Sequence, residues 1–159
     1  MSNHNETAIT QLGQTFLSHA NQPRNLGTIT DPDGSSMLTG KCGDSMRIDL
    51  KVHDGVIDKI GVVPEGCVFT RACASVIGEL AKQKTLEQAL KIEPEDIKNV
   101  FGSLPDDHMH CARLAVNTLG EAIAEVLRKE MSQTTAAKNQ LVRHSSRADS
   151  WSSVKLNRK

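Results

Sequence analysis

The residues best suited to chemistry are four cysteines, Cys42, Cys67, Cys73 and Cys111, and the histidines beside the last of them, in the stretch His108-Met109-His110-Cys111. Thiolates are nucleophiles and soft metal ligands, and imidazole suits zinc, copper and iron. Three of the cysteines stand at the ends of regular elements. Cys42 lies in Lys41-Cys42-Gly43-Asp44-Ser45-Met46, at a strand start. Cys67 closes Pro64-Glu65-Gly66-Cys67, ahead of a helical stretch, and Cys111 opens the last one. Free backbone N–H groups and the helix dipole favour an ionised thiol at a helix start. Element ends and loops carry much of a protein's chemistry, whereas packing cysteines sit inside elements. Cys73 is of that second kind, on an apolar helical stripe between Ala72 and Ala74, and is expected in the core.

Each of these residues also has a plainer reading. Cys42 and Asp44, taken alone, read equally well as a buried thiol and a turn carboxylate. Neighbours on a regular helix point about 100° apart, so His110 and Cys111 can share a ligand only if His110 lies outside the helix. His108 is expected at the surface. No Cys-x-x-Cys pair is present, which excludes zinc ribbons and ferredoxin-type runs; any shared site must draw on three separate segments. A structural zinc domain is the plain alternative. A thiol hydrolase using Cys111 and a histidine base finds no nucleophile elbow and no oxyanion-hole motif to support it.

The elements that would position these groups are legible. Residues 6–20 can form a helix with Ile9, Leu12, Phe16 and Leu17 on one face, broken by Pro23 and Gly27. Asp31 to Gly34 reads as a turn. Met46, Ile48, Leu50 and Val52 alternate with Arg47, Asp49, Lys51 and His53, the period of a strand with one buried and one wet face. Asp54-Gly55 is a hairpin signal and Val56 to Val63 the returning strand; the segment before Cys42 supplies a third. A helix follows from Val68, a short one capped by Thr85, and another opened by Glu93-Pro94 and closed by Pro105. The last helix is expected from about Cys111 to Met131, with Ala115, Leu119, Ala122, Ile123 and Val126 inward. Strands first and helices after imply an α+β fold, a three-stranded antiparallel sheet with helices packed on one face.

With 159 residues the chain is long enough for one domain with tails; aromatics at 3% leave the core to aliphatic side chains and a few Phe. The division expected is an N-terminal helix and tail at 1–20, a domain at 21–131, and a C-terminal tail at 132–159. Formal charge is zero, yet the segment from Ser132 carries +5 and the rest −5. An acidic body does not suit a nucleic-acid binder. The basic tail, with Trp151 alone in it, has no convincing period and is expected to be disordered. No apolar run approaches the roughly 18 residues needed to span a membrane, and the N-terminus lacks a secretory signal. A cytoplasmic setting is expected, or an organelle if a presequence has been lost; in a reducing compartment metal or thiol chemistry is expected of the cysteines rather than disulfides.

Taken together, Asn21-Gln-Pro-Arg-Asn-Leu-Gly27, then Lys41 to Met46, then Glu65-Gly66-Cys67 followed by Ala72-Cys73-Ala74-Ser75, then Lys84 to Leu90, then His110-Cys111, resemble the IscU/NifU family of iron–sulfur cluster assembly scaffolds over roughly Asn21 to Leu127. The order of elements is similar too. The resemblance implies that Cys42, Cys67 and Cys111 are cluster thiolates, that Asp44 keeps the cluster labile, and that His110 stands at its edge. It implies a scaffold rather than an enzyme: sulfur from a cysteine desulfurase, iron, a transient [2Fe–2S] cluster, and transfer to apo-proteins. Members also bind zinc. Three thiolates with a weaker His or Asp leave one side of the cluster easily displaced, which suits delivery more than permanent electron carriage.

Two departures stand out. Many members carry Leu-Pro-Pro-Val-Lys before the His-Cys pair, read by a dedicated Hsp70 chaperone; this chain has Leu104-Pro105-Asp106-Asp107-His108, so recognition by such a chaperone is not implied. The Gly-Cys loop also resembles the zinc-dependent SufU branch, whose members act as zinc-bound sulfur acceptors that stimulate a cysteine desulfurase. That branch has an insertion before its last Cys and lacks the preceding His. With His110 present and no insertion, the IscU-like branch fits better.

Overall fold

The computed structural model describes residues 13–156, with side chains through residue 143. The chain divides into two compact units, one up to Val126 and one from Leu127. The elements are α1 (Gln14–Asn21), β1 (Gly34–Thr39), β2 (Ser45–His53), β3 (Val56–Glu65), α2 (Val68–Ala81), α3 (Leu86–Leu90), α4 (Pro94–Phe101), a 3₁₀ turn (Asp106–His108) and α5 (Met109–Leu156). The strands form one antiparallel sheet in the order β1-β2-β3, and the α+β expectation is met.

The period-two pattern of β2 drives Met46, Ile48 and Leu50 fully out of water, each contributing about 1.5–3 kcal/mol. Asp54 and Gly55 take φ of 51° and 75°, the left-handed pair that a two-residue hairpin with matching twist requires. Beyond them a bulge falls between Lys51 and Val52. The wet-face expectation fails at one position. His53 is exposed, but Asp49 is 1% exposed. Its carboxylate accepts from Ile29 N at 3.0 Å, Ser35 Oγ at 2.6 Å and Arg47 Nε at 2.9 Å. The loop before β1 covers this part of the sheet, a long-range event to which alternation is blind. The same segment pairs with β3: Val62 N donates to Asn25 O and Gly27 N to Val62 O, so that edge of the sheet is occupied.

Helices supply the other layer. Phe16 of α1, Phe69 of α2 and Phe101 of α4 meet with ring centroids 5.1 and 5.2 Å apart. Leu17, expected inward, is 39% exposed, and Ile9 and Leu12 lie outside the described residues. His19 is buried against Ser75 Oγ at 2.7 Å. Burial, helped by the Arg24 charge and opposed by Glu79, holds its pKa below the ordinary 6.5. Thr85 and Gln88 form a reciprocal capping box at α3, and Glu93 caps α4 ahead of Pro94, as expected. Among the described residues no helix is long and apolar enough to cross a membrane.

Within the first unit, α5 buries Ala115, Leu119, Ala122, Ile123 and Val126. It is tied to β1 by Ser36 Oγ, which donates to Thr118 O at 2.5 Å, and by Ser35 N, which donates to Glu125 Oε2 at 2.8 Å. In the second unit the backbone is helical to Leu156. No Gly or Pro interrupts residues 121–156, and the Ala, Gln, Lys, Leu and Arg present are good helix formers. No apolar stripe marked the segment because residues 127–143 are all exposed.

Candidate functional site

The turn between β1 and β2 is closed by Gly40 N donating to Asp44 O at 2.8 Å and Gly43 N to Gly40 O at 3.1 Å. It leaves Cys42 exposed and brings the Asp44 side chain to the start of α2. The close approach depends on Gly66: a Cβ there would stand 2.4 Å from Asp44 Cγ. Asp44 Oδ2 accepts from Thr70 Oγ1 at 2.5 Å and from Cys67 N at 3.4 Å. A carboxylate at a helix start also meets the favourable end of the dipole. The Thr70 hydrogen bond, with those from Cys67 and the His110 charge, outweighs burial and holds the Asp44 carboxyl below its usual range.

Cys67 is the N-cap of α2 and exposed; Thr70, three residues on, faces the same way and is fully buried. Its Oγ1 lies 3.6 Å from Cys67 Sγ and 3.4 Å from Cys111 Sγ. One hydroxyl therefore joins both sulfurs and Asp44. Sequence analysis passed Thr70 over, although its spacing from Cys67 was the available signal.

Cys111 is the third residue of α5 and fully buried. Burial is the main cause pushing its thiol up, with Cys67 and Asp44 adding and Thr70 opposing, to about 12. This corrects the expectation that a helix start would favour the Cys111 thiolate: loss of water outweighs the helix-end dipole. Cys73 is in the core as expected, its pKa also raised by burial.

His108 is half-buried rather than at the surface. Its ring stacks on Phe69 at 3.7 Å between centroids and 11° between planes. Its Nδ1 is buried without a hydrogen-bond partner. Standing three residues before Cys111, His108 shares that residue's side of the chain, a spacing that sequence analysis left unused. His110 lies inside α5 and is exposed, with Nε2 3.5 Å from Cys111 Sγ.

The donor atoms of Cys67, His108 and Cys111 all lie within 4.8 Å of one another. Cys42, Asp44 and His110 are not members of that group: Asp44 is tied to it through Thr70 and Cys67, His110 through Cys111, and Cys42 stands two residues before Asp44 on the exposed turn. Two sulfurs and an imidazole suit zinc or iron, and binding either ion would release the thiol protons.

Residues 12–133 match the family model described as NifU-like N terminal domain. The chain is 41% identical over 114 residues to the iron–sulfur cluster assembly scaffold protein IscU 1 of Archaeoglobus fulgidus, covering 71% of this chain and 74% of that one. It is 32% identical over 123 residues to the scaffold protein IscU of Aquifex aeolicus, covering 76% and 78%. The crystal structure of the N-terminal part of a nitrogen-fixing NifU-like protein from Brucella abortus has a similar fold, with a TM-score of 0.57 and 19% identity over 74% of this chain and 94% of that one. The chain therefore belongs to the NifU-like N-terminal domain family of IscU/NifU-type iron–sulfur cluster assembly scaffolds.

Proposed function

We propose that this chain accepts sulfur from a cysteine desulfurase, takes up iron, builds a transient [2Fe–2S] cluster on the thiolates of Cys42, Cys67 and Cys111, and passes it to apo-proteins as a carrier rather than a turnover enzyme. The observation that carries this reading is the convergence of Cys67 and Cys111, from distant segments, on the Thr70 hydroxyl that also holds Asp44. The cluster is cargo, so a good site binds it without locking it in. Asp44, held mainly by one short hydrogen bond, can exchange Thr70 for iron and back. His110, exposed beside Cys111, stands at the cluster's edge.

Exposure divides the labour among the thiols. Cys42 and Cys67 are open to a partner, so either can attack the outer sulfur of a desulfurase persulfide; the new S–S bond forms as the desulfurase thiolate leaves. Cys111, buried and protonated, contributes as a ligand once a metal displaces its proton.

Oxygen-free reconstitution with ferrous iron, cysteine, a desulfurase and an added thiol reductant, which supplies the electrons that take persulfide sulfur to sulfide, tests the proposal. The expected product is brown, with visible sulfur-to-iron charge-transfer absorption, and it activates an apo-ferredoxin-type acceptor. A colourless product that retains zinc and transfers nothing rejects it.

A further inference from the structure

We infer that an apolar groove in the first unit receives the helical tail of a second copy of this chain, giving a reciprocal dimer. The inference uses neither the cysteines nor a cluster, so it is independent of the scaffold reading.

The groove opens between β1, the end of α3 and the middle of α5. Its volume is about 480 Å³, and Leu38, Leu90, Ile92, Val116, Gly120 and Glu121 line it. Leu90 is 52% exposed, whereas Leu38, Ile92 and Val116 are half-buried, packed against the core as well as lining the groove. Gly120 is the telling residue. Glycine inside a helix costs stability relative to alanine. Nothing within the chain requires it here: its φ is not positive, and a Cβ would meet no atom within 4 Å. A missing side chain on a groove wall lets another backbone approach closely. Glu121, next to it, is the only charged side chain among the described residues that line the groove.

The tail supplies a matching helix. Met131 and Leu141 are each 70% exposed and Val142 is 67% exposed. These three are too few for a continuous stripe, yet with Lys138 they fall within an arc of about 100° around the helix. Lys138, Leu141 and Val142 stand at i, i+3 and i+4, the spacing by which a helix anchors in a groove.

Charge names the occupant. The segment from Ser132 carries +5 and the rest of the chain −5, so two tails repel while a tail and a body attract. Lys138 stands among the apolar residues of the tail as Glu121 stands among those of the groove, and the two form the specific pair. Each copy carries both a groove and a tail. Exchange of tails therefore makes two identical contacts about one two-fold axis.

The test uses the full chain, metal-free and reduced so that neither a bridging metal nor a disulfide joins copies. Sedimentation over a range of concentrations should show the mass rising from one chain towards two, and falling back at high salt, which screens the pairing. Lys138→Glu and Glu121→Lys each set like charges face to face. Each is expected to raise the dimer dissociation constant at least about tenfold. The double variant restores opposite charges and should recover most of that loss. Gly120→Leu fills the groove wall. It should weaken the dimer yet raise the melting temperature of the dilute single chain, because leucine favours helix and its Cβ meets nothing. Those opposite movements distinguish a blocked groove from a damaged fold. The mass of one chain at every concentration overturns the inference. So do single-charge variants that dimerise like wild type, a double variant no better than its parents, or a dimer indifferent to Leu141→Asp.

Discussion

Asp44 and Asp49 are five residues apart, one on the turn that leads into β2 and one at its centre, and both carboxyls are held below their usual range. The means differ. At Asp49 burial alone would push the pKa up, but hydrogen bonds from Arg47, Ser35 and Ile29, with the Arg47 charge, overcome it. At Asp44 the Thr70 hydroxyl leads, on a half-exposed turn beside exposed Cys42 and Cys67. A carboxylate gripped from several sides and excluded from water is part of the frame. One gripped mainly by one hydroxyl, beside two sulfurs, is equipped to change partners.

The largest expected effect lies at the frame. Asp49→Ala leaves Ile29 N, Ser35 Oγ and Arg47 without their acceptor and should cost about 2–3 kcal/mol, read as a lower urea midpoint at unchanged slope. Asp49→Asn should cost less. The linkage has a definite sign: with the folded pKa depressed, the Asp49 contribution is complete above the unfolded value of about 3.9 and is lost as pH falls through the folded one. The Asn variant should therefore lose less stability than wild type on acidification. If Asp49→Ala melts like wild type, the contrast between the two carboxylates disappears.

Asp44→Ala should reverse the pattern, with a small stability change at the α2 start and a large functional one. A reconstituted cluster is expected to persist on the order of tenfold longer and to transfer correspondingly more slowly. Decay and transfer at wild-type rates would remove Asp44 from the proposed mechanism.

Thr70→Val keeps the shape of the joining residue and deletes the hydroxyl. Asp44 should titrate at higher pH, and Cys111 should be still harder to ionise, because Thr70 lowers both pKa values. Alkylation mapped by mass spectrometry on the metal-free protein should find Cys42 and Cys67 modified well before Cys111 and Cys73 in wild type, with the gap wider in the variant. Cys111 reacting as fast as Cys67 would contradict its buried, protonated state.

The smallest effect is a shallow pH dependence away from the site. His19 has a depressed folded pKa, so the unfolded chain takes up its proton first as pH falls. Its contribution is complete above about 6.5 and declines below that toward the folded value. His19→Gln should flatten the stability curve over that interval; an unchanged curve would mean that another group is responsible.

Local signals named most of the frame. The alternation from Met46 to Leu50, the Asp54-Gly55 turn, the Thr85 cap and the Glu93-Pro94 start each encode their geometry in a few adjacent residues, because side-chain period, positive φ and capping are short-range physics. The same reading placed Cys73 in the core from its neighbours alone. It closed α5 at Met131 because an exposed helix has no apolar stripe to reveal it, and it missed His108 although the three-residue interval to Cys111 was in view.

Sequence alone determined which donor atoms exist and that Cys42, Cys67 and Cys111 stand at element ends, since residue type and local propensity are properties of short segments. Only the tertiary structure decided which of them meet and in what protonation state. Burial of Cys111, the grip of Thr70 on Asp44, the covering of Asp49 and the stacking of His108 on Phe69 all arise between residues far apart in the chain. Desolvation and hydrogen bonding depend on those neighbours, and no local pattern carries them.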